Sequence, residues 1–413
     1  MSAVGAVTIL QRCDALAAIS SSAEGIERVY LSPEHARANA LVGEWMVQAG
    51  MTTWTDAAGN QCGRYEGEVP GAPSLLLGSH LDTVPDAGRY DGILGVMLAI
   101  AVVSRLHEAG RRLPFAVEVL GFGDEEGTRF GTALLGSRAV AGTWDEGWWQ
   151  LEDAAGTTLA EAFTAFGLDP SRVGDAARDP RRVLGYLEAH IEQGTYLEEA
   201  DRALGVVSSI AGARRLQLTI TGEAGHAGGV PFHRRHDALA GAAEAVLAIE
   251  RRAKAVPGCV ATVGQLHAFP GAVNVIPGRV ELSLDLRAEL DADRDRVWAQ
   301  IQQDVQRTCR RRTLAFAATE IHRAPAVPAA PALRSVVVEG IATAGDHKPL
   351  VLLSNAGHDA MAIADLCDFA MLFIRCAGGV SHHPAEAVTR PDVRTALDAL
   401  EASVLALAAR ETA

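Results

Sequence analysis

The sequence predicts an α/β protein in which a mixed sheet flanked by helices is built from both ends of the chain, with a smaller α+β domain inserted between them. Three observations predict this. Residues 74–77 are an apolar run that reads as a buried strand, and a loop leads from them into residues 93–106, apolar over a helical length. From about residue 211 the pattern changes to half-buried strands and alanine- and leucine-periodic helices in the order strand-helix-strand-strand-helix-strand, which suggests a small antiparallel sheet with helices on one face. At 413 residues one core is improbable, and the proline-rich stretch 324–331 marks a return to the first domain. The expected boundaries are 1–210 and 326–413 for the first domain and 211–325 for the insertion.

Each element has its own signal. Residues 6–21 carry apolar side chains at helical spacing, and Ser32-Pro33-Glu34 reads as an N-cap with proline at the first helical position, opening a helix to about residue 49. A strand at 51–56 follows, then turn chemistry at Ala57-Ala58-Gly59-Asn60 and a hairpin partner at 61–65. Residues 115–122 are β-rich and end in Gly123-Asp124-Glu125-Glu126, and 184–191 read as a strand that delivers His190. Between them, 128–141 are punctuated by glycine and 144–180 show only short helical patterns. A strand at 205–210 leaves the first domain. The insertion has strands at 216–221, 260–266 and 280–287 and helices at 237–254 and 292–310. After the return come a helix, a loop at 354–359, a strand at 369–374 and a last helix from Asp392.

Composition narrows the function. Hydrophobic residues make up 48% and charged ones 21%, which suits a globular protein. A net charge of −14 from 37 basic and 51 acidic residues argues against a nucleic-acid partner, and means that an anionic ligand needs a local positive site. The six cysteines (Cys13, Cys62, Cys259, Cys309, Cys367 and Cys376) include no Cys-x-x-Cys pair, so a reduced, cytoplasmic setting is expected. No signal peptide is expected, because no basic segment precedes an apolar core near the N-terminus. The best apolar run, 93–104, is too short to span a bilayer, so no membrane segment is expected either.

The chemistry gathers at strand ends. His80 and Asp82 end the 74–77 strand and Asp91-Gly92 opens the next helix, so one imidazole and two carboxylates flank a loop where open α/β sheets bind ligands. A lone His-x-Asp is common in ordinary structure. Four further clusters sharpen the signal: Asp124-Glu125-Glu126, His190-Ile191-Glu192-Gln193-Gly194, Gly225-His226-Ala227-Gly228 and Ser381-His382-His383-Pro384-Ala385-Glu386. A two-metal hydrolytic site needs imidazoles, carboxylates and one carboxylate that bridges, and Asp91 is the expected bridge. Asp82, two residues beyond His80, is the natural acceptor for that ring's other nitrogen.

Together these motifs resemble the dinuclear metallopeptidase-like amidohydrolases, and within them the branch that acts on carbamoyl and ureido groups. The likeness runs from the N-terminal helix to the C-terminal one, and His-Ile-Glu-Gln-Gly carries the branch, because related peptidases have a carboxylate where His190 stands. The resemblance implies that the first domain is a metal-binding catalytic domain and the insertion a lid and dimerisation domain. It implies two divalent ions per subunit, manganese or zinc with cobalt or nickel as alternatives, one held by His80, Asp91 and His190 and the other by Asp91, Glu126 and His382. His383 falls on a variable position of the family's His-x-Pro-x-Glu pattern. By the same resemblance Glu125 is the general base, His226 stabilises an oxyanion in the partner subunit's site of a homodimer, and Gln193, Asn274, Arg287 and the backbone at Gly357 contact the substrate. Arginine suits that task because its planar fork grips a carboxylate. The chain departs from the family at Gly229-Val230-Pro231-Phe232, where Thr-Thr-Pro-Met is usual, and at Asn355, where glycine is usual.

Within the branch, stretches such as Ala87-Gly88-Arg89-Tyr90-Asp91-Gly92 resemble allantoate amidohydrolases. That implies a small anionic ureido substrate, allantoate, cleaved to ureidoglycine, ammonia and carbon dioxide. An N-carbamoyl-L-amino-acid hydrolase is the alternative, and an aminoacylase or peptidase on the same scaffold a more distant one. A non-catalytic module with structural metals belongs to another class altogether, and Glu125 argues against it, since such a site needs no base beside a ligand.

Overall fold

The computed structural model describes residues 4–412, which cluster into two compact units. The first comprises the chain up to Ser208, Ala329–Leu352 and the chain from Ala356; the second is Ser209–Pro328 with Leu353–Asn355. Those last three residues, which the sequence reading left in the first domain, cluster with the second.

In the first unit the strands follow the order Thr52–Thr55, Gln61–Tyr65, Ala116–Phe122, Ser74–His80, Val183–Ile191, Phe369–Ile374 and Leu204–Ile210. The four from Ala116–Phe122 to Phe369–Ile374 are mutually parallel, and the strands next to them, Gln61–Tyr65 and Leu204–Ile210, run antiparallel to them. Strands covered on both faces read as continuous apolar runs, and Ser74–His80 and Ala116–Phe122 are buried along their whole length. Helix Ile93–Glu108 is buried nearly all round, because it lies between the sheet and the helices Ala6–Ala17 and Arg390–Glu411. Among the described residues no helix is long and apolar enough to cross a membrane.

The first helix stops at Ala17 instead of running to residue 21. Ser20 and Ser21 turn their hydroxyls onto Gly25 O and Glu27, a local bonding pattern that competes with the helix. Residues 144–180, on which the sequence was nearly silent, build a satellite core of Phe163, Leu159 and Val173 under Trp144, Trp148 and Trp149.

The second unit is an antiparallel sheet in the order Leu266–Phe269, Arg279–Ala288, Gly212–Thr221, Ala315–Ala324, with Cys259–Thr262 also paired to Arg279–Ala288. Val280, Leu282, Leu284 and Leu286 alternate inward beneath the helices Ala238–Lys254 and Asp291–Arg312. The single strand expected at 260–266 is two strands. Gly264 separates them, and Gln265 N–H leaves the ladder to bond Ser283 Oγ at 3.0 Å.

Candidate metal centre

Neighbouring parallel strands carry the site at their C-terminal ends. His80 ends one, His190 lies near the end of the next, and Ala116–Phe122 runs on into Gly123-Asp124-Glu125-Glu126. His382 follows the fourth parallel strand, Phe369–Ile374. Asp91 enters from the loop before helix Ile93–Glu108. Gly92 has φ +71° and a Cβ there would lie 2.4 Å from the His80 ring, so only glycine lets the chain pass this close. Three non-glycine residues, Asp124, Gln193 and His382, also hold left-handed backbone at φ 65°, 57° and 54°. Such conformations cost about 1–3 kcal/mol each and persist where the surroundings hold them.

Asp91 is the hub. Its Oδ1 lies 3.5 Å from His80 Nε2 and 3.1 Å from His190 Nε2, and its Oδ2 lies 3.2 Å from His382 Nε2. His382 Nε2 is in turn 3.4 Å from Glu126 Oε1. Two triads result, His80/Asp91/His190 and Asp91/Glu126/His382, each with its ligand atoms within 4.8 Å of one another. Behind the rings, His80 Nδ1 faces Asp82 O at 3.1 Å and His190 Nδ1 faces Ile191 O at 2.9 Å. A carbonyl can only accept, so each Nδ1 carries a proton and Nε2 is the atom that each ring turns toward Asp91. A lone pair there, facing a carboxylate, needs a positive charge between them, either a proton or a cation. Three imidazoles with two carboxylates suit zinc, manganese or cobalt, so the donor set fits two such ions.

The acids behind this centre are crowded. Burial pushes Glu125 up to about 7, with Asp82 and Asp91 adding to the push and His80 opposing it. Burial and Glu125 push Glu126 up to about 8. Asp91 goes the other way: burial alone would raise it, but hydrogen bonds from His190, His382 and His80 hold it well below the usual carboxylate range. Asp124 is wholly buried, neither of its oxygens has a hydrogen-bond partner among the described residues, and burial beside Asp82 and Glu125 raises its pKa. A centre with this much negative charge is one that cations relieve.

Several expected residues sit differently from expectation. The Asp82 carboxylate is 3.5 Å from His80 Nδ1, farther than its own backbone carbonyl, and it accepts instead from Glu125 N–H at 3.1 Å and Glu126 N–H at 3.2 Å. It holds the acidic pair more than the imidazole. Gln193, expected to meet substrate, donates through Nε2 to Asp91 Oδ2 at 2.8 Å and to Ser381 Oγ at 3.1 Å. A Cβ on Gly357 would lie 3.5 Å from Glu125 Oε1, so its backbone borders the acid. His383 stands outside the triads, on an exposed turn where its Nδ1 accepts from Ala385 N–H.

In the second unit, His226 is exposed and its Nδ1 accepts from Gly228 N–H at 3.1 Å and Gly229 N–H at 3.0 Å. Its proton is therefore on the outward Nε2. Asn274 is its neighbour, through Ala227 N–H to Asn274 O at 2.9 Å. Arg287 does not present an open fork. Its Nε and Nη2 are held by Asp285 Oδ1 and Oδ2 at 2.8 and 3.0 Å, and its Nη1 donates to Asn355 O. Asn355 is thus used through its backbone, which the departure from glycine leaves in place.

Sequence reasoning gave no role to four residues. Glu386 accepts from Tyr90 N–H at 2.7 Å and Asp91 N–H at 3.2 Å, and Ser381 Oγ lies 2.6 Å from Asp91 Oδ2. Glu188 accepts from Ser79 Oγ and Ala360 N–H, and the His358 ring packs edge-on against His190 at 4.5 Å between centroids. Glu188 had a signal, since it stands two residues before His190 and so on the same face of its strand.

Comparison with known proteins gives the chain its family. The model of peptidase family M20/M25/M40 matches residues 76–406. The chain is 42% identical to an N-carbamoyl-L-amino acid amidohydrolase of Geobacillus stearothermophilus, over 94% of each chain. It is 41% identical to a probable allantoate deiminase of Oryza sativa subsp. japonica, over 92% of this chain and 84% of the other. An amidase of the hydantoinase/carbamoylase family from Burkholderia multivorans superposes with a TM-score of 0.91 at 31% identity, over 97% of each chain. On these near full-length likenesses the chain belongs to peptidase family M20/M25/M40, among its hydantoinase/carbamoylase amidohydrolases.

Proposed function

We propose that this protein hydrolyses the C–N bond of a ureido group next to a carboxylate, and that its substrate is allantoate, yielding ureidoglycine, ammonia and carbon dioxide. The observation that carries the reading is the pair of triads sharing Asp91, with the Glu125 carboxylate beside them, 4.0 Å from His80 Nε2. Bound there, two divalent cations supply Lewis acidity toward the ureido carbonyl and lower the pKa of water. Glu125 takes a proton from the attacking water and returns it to the leaving nitrogen. Gly357 borders the same carboxylate through its backbone. His226 donates from Nε2–H to the developing oxyanion. Arg287 grips the substrate carboxylate through the N–H groups that Asp285 and the Asn355 carbonyl leave over.

The second unit's own geometry supports a homodimer. His226 and Asn274 lie beyond the end of the sheet where Arg279 pairs with Thr221, whereas Arg287 pairs with Ala213 at the other end. Eight residue steps along the strand lead from Arg279 to Arg287, roughly 27 Å at about 3.4 Å per step. One small substrate cannot touch both ends of one sheet. A site that uses His226, Asn274 and Arg287 draws them from two copies.

A second reading, hydrolysis of an N-carbamoyl-L-amino acid, has an observation of its own. Phe232 is 85% exposed and Val273 fully exposed, on the loops that carry His226 and Asn274. Apolar side chains there suit an apolar amino acid, whereas the second ureido group of allantoate asks for hydrogen-bonding partners. Ammonia release from allantoate, ureidoglycolate and a series of N-carbamoyl-L-amino acids, measured on metal-reloaded protein, decides between them. Allantoate is expected to lead in kcat/KM; a lead for a carbamoyl amino acid selects the second reading, and no ammonia from any of them sinks both.

A further inference from the structure

The two triads are built to different standards. His80, Asp91 and His190 are 1%, 6% and 2% exposed, and the rings of both histidines are pinned from behind by backbone carbonyls. A cation between them meets ligands that are buried and already aimed. On the other side, the His382 side chain is 48% exposed. The oxygen of Asp91 that faces it, Oδ2, already accepts from Gln193 Nε2 at 2.8 Å and lies 2.6 Å from the Ser381 hydroxyl. Oδ1 faces only imidazoles among the contacts of the described residues.

We propose that the two cation positions are unequal: the buried His80/Asp91/His190 position fills first and retains its ion, while the Asp91/Glu126/His382 position is exchangeable, its affinity set by Ser381 and Gln193 acting on Asp91 Oδ2. The proposal rests on the two-cation reading above. Ser381 is the joint of a small network. Its Oγ accepts from Gln193, lies 3.2 Å from Glu386 Oε2, and has one hydrogen to give, with Asp91 Oδ2 the nearer acceptor. Glu386 in turn holds the backbone at Tyr90 and Asp91. The network therefore fixes both the main chain of Asp91 and the plane of its carboxylate.

Two effects oppose each other at Oδ2. Hydrogen bonds draw charge from the oxygen and weaken it as a ligand, but they also stop the carboxylate from rotating away from Glu126 and His382. Loss of a side chain that orients a metal ligand typically costs 10–100-fold in affinity, so orientation outweighs charge withdrawal. Ser381 and Gln193 are positioning residues for the second ion. The first ion depends on them less, because two of its three ligands, the His80 and His190 imidazoles, are aimed by their own backbone carbonyls.

The experiment is a metal titration of the full chain after chelation, with Zn²⁺ and separately Mn²⁺ against a chromophoric competitor, and metal analysis after gel filtration. The wild type is expected to bind in two steps at least about 10-fold apart and to keep one ion through the column. Ser381→Ala is expected to weaken the second step about 10–100-fold and leave the first within about 2-fold. Ser381→Thr, which keeps the hydroxyl, should restore the second step. Retention of the first ion in the same sample shows that the variant is folded. Two indistinguishable steps in the wild type, or equal weakening of both steps or of neither in Ser381→Ala, overturns the proposal. Binding of fewer than two ions by the wild type overturns the two-cation reading itself.

Discussion

Asp82→Asn tests the internal logic of the site without touching a metal ligand. The carboxylate is wholly buried and spends one oxygen on the Glu125 N–H at 3.1 Å and the other on the Glu126 N–H at 3.2 Å. Asparagine keeps the shape but offers one acceptor and one NH2, so in either orientation a backbone N–H meets another donor. A hydrogen bond to a charged group contributes roughly 1.5–3 kcal/mol, and a buried donor left unsatisfied costs about 1–3 kcal/mol, two overlapping terms that together give a loss of about 2–4 kcal/mol. Burial pushes the Asp82 pKa up, but the His80 imidazole and the two N–H groups outweigh it and hold the carboxylate below its usual range. A depressed carboxylate contributes its stability above the unfolded value of about 3.9 and loses it as pH falls through the folded value. The gap between wild type and variant is therefore widest near neutral pH and narrows below about pH 4. Urea unfolding of the metal-free proteins at both pH values measures it. A gap under about 1 kcal/mol at pH 7, or one that does not narrow in acid, refutes the view that this carboxylate anchors the acidic pair.

Two further outcomes follow from the proposed roles. Glu125→Gln keeps shape and removes basicity, so turnover should fall by about 10²–10⁴-fold while two ions remain bound, and near-normal turnover assigns the proton transfer elsewhere. Mixing His226→Ala chains with Glu125→Gln chains should restore activity, because one of the two sites in a heterodimer then receives both groups intact. If activity stays absent after subunit exchange has been verified by mass, His226 serves its own chain or nothing.

What was legible in the sequence was what periodicity and residue type encode. The central strands are largely apolar because helices or loops cover both faces, and chemistry-bearing residues at their ends stand out against that background, as His80 and Glu125-Glu126 do. The inserted sheet was legible through alternation, which is clean along Arg279–Ala288. A capping box, Thr158 with Glu161, also marks the start of helix Leu159–Phe166 in the sequence itself. Asp285 was legible too: it lies two residues from Arg287 and therefore on the same face of the strand, close enough to take one edge of the guanidinium.

The aim of a side chain was not legible, because it depends on backbone conformation and on partners far away along the chain. Gln193 has the composition of a substrate contact, but its φ of 57° turns its amide back onto Asp91, 102 residues earlier. Asp82 looked like the partner of the His80 ring, yet its own carbonyl lies nearer to that nitrogen and frees the carboxylate for Glu125 and Glu126. Ser381 reaches Asp91 across 290 positions, and a serine carries no mark that separates it from one facing solvent. Metal ligands come from few residue types and can be suspected from spacing alone. The hydroxyls, amides and carbonyls that orient them are common everywhere, so only measured distances pick them out, and the unequal treatment of the two oxygens of Asp91 could not have been derived before those distances were known.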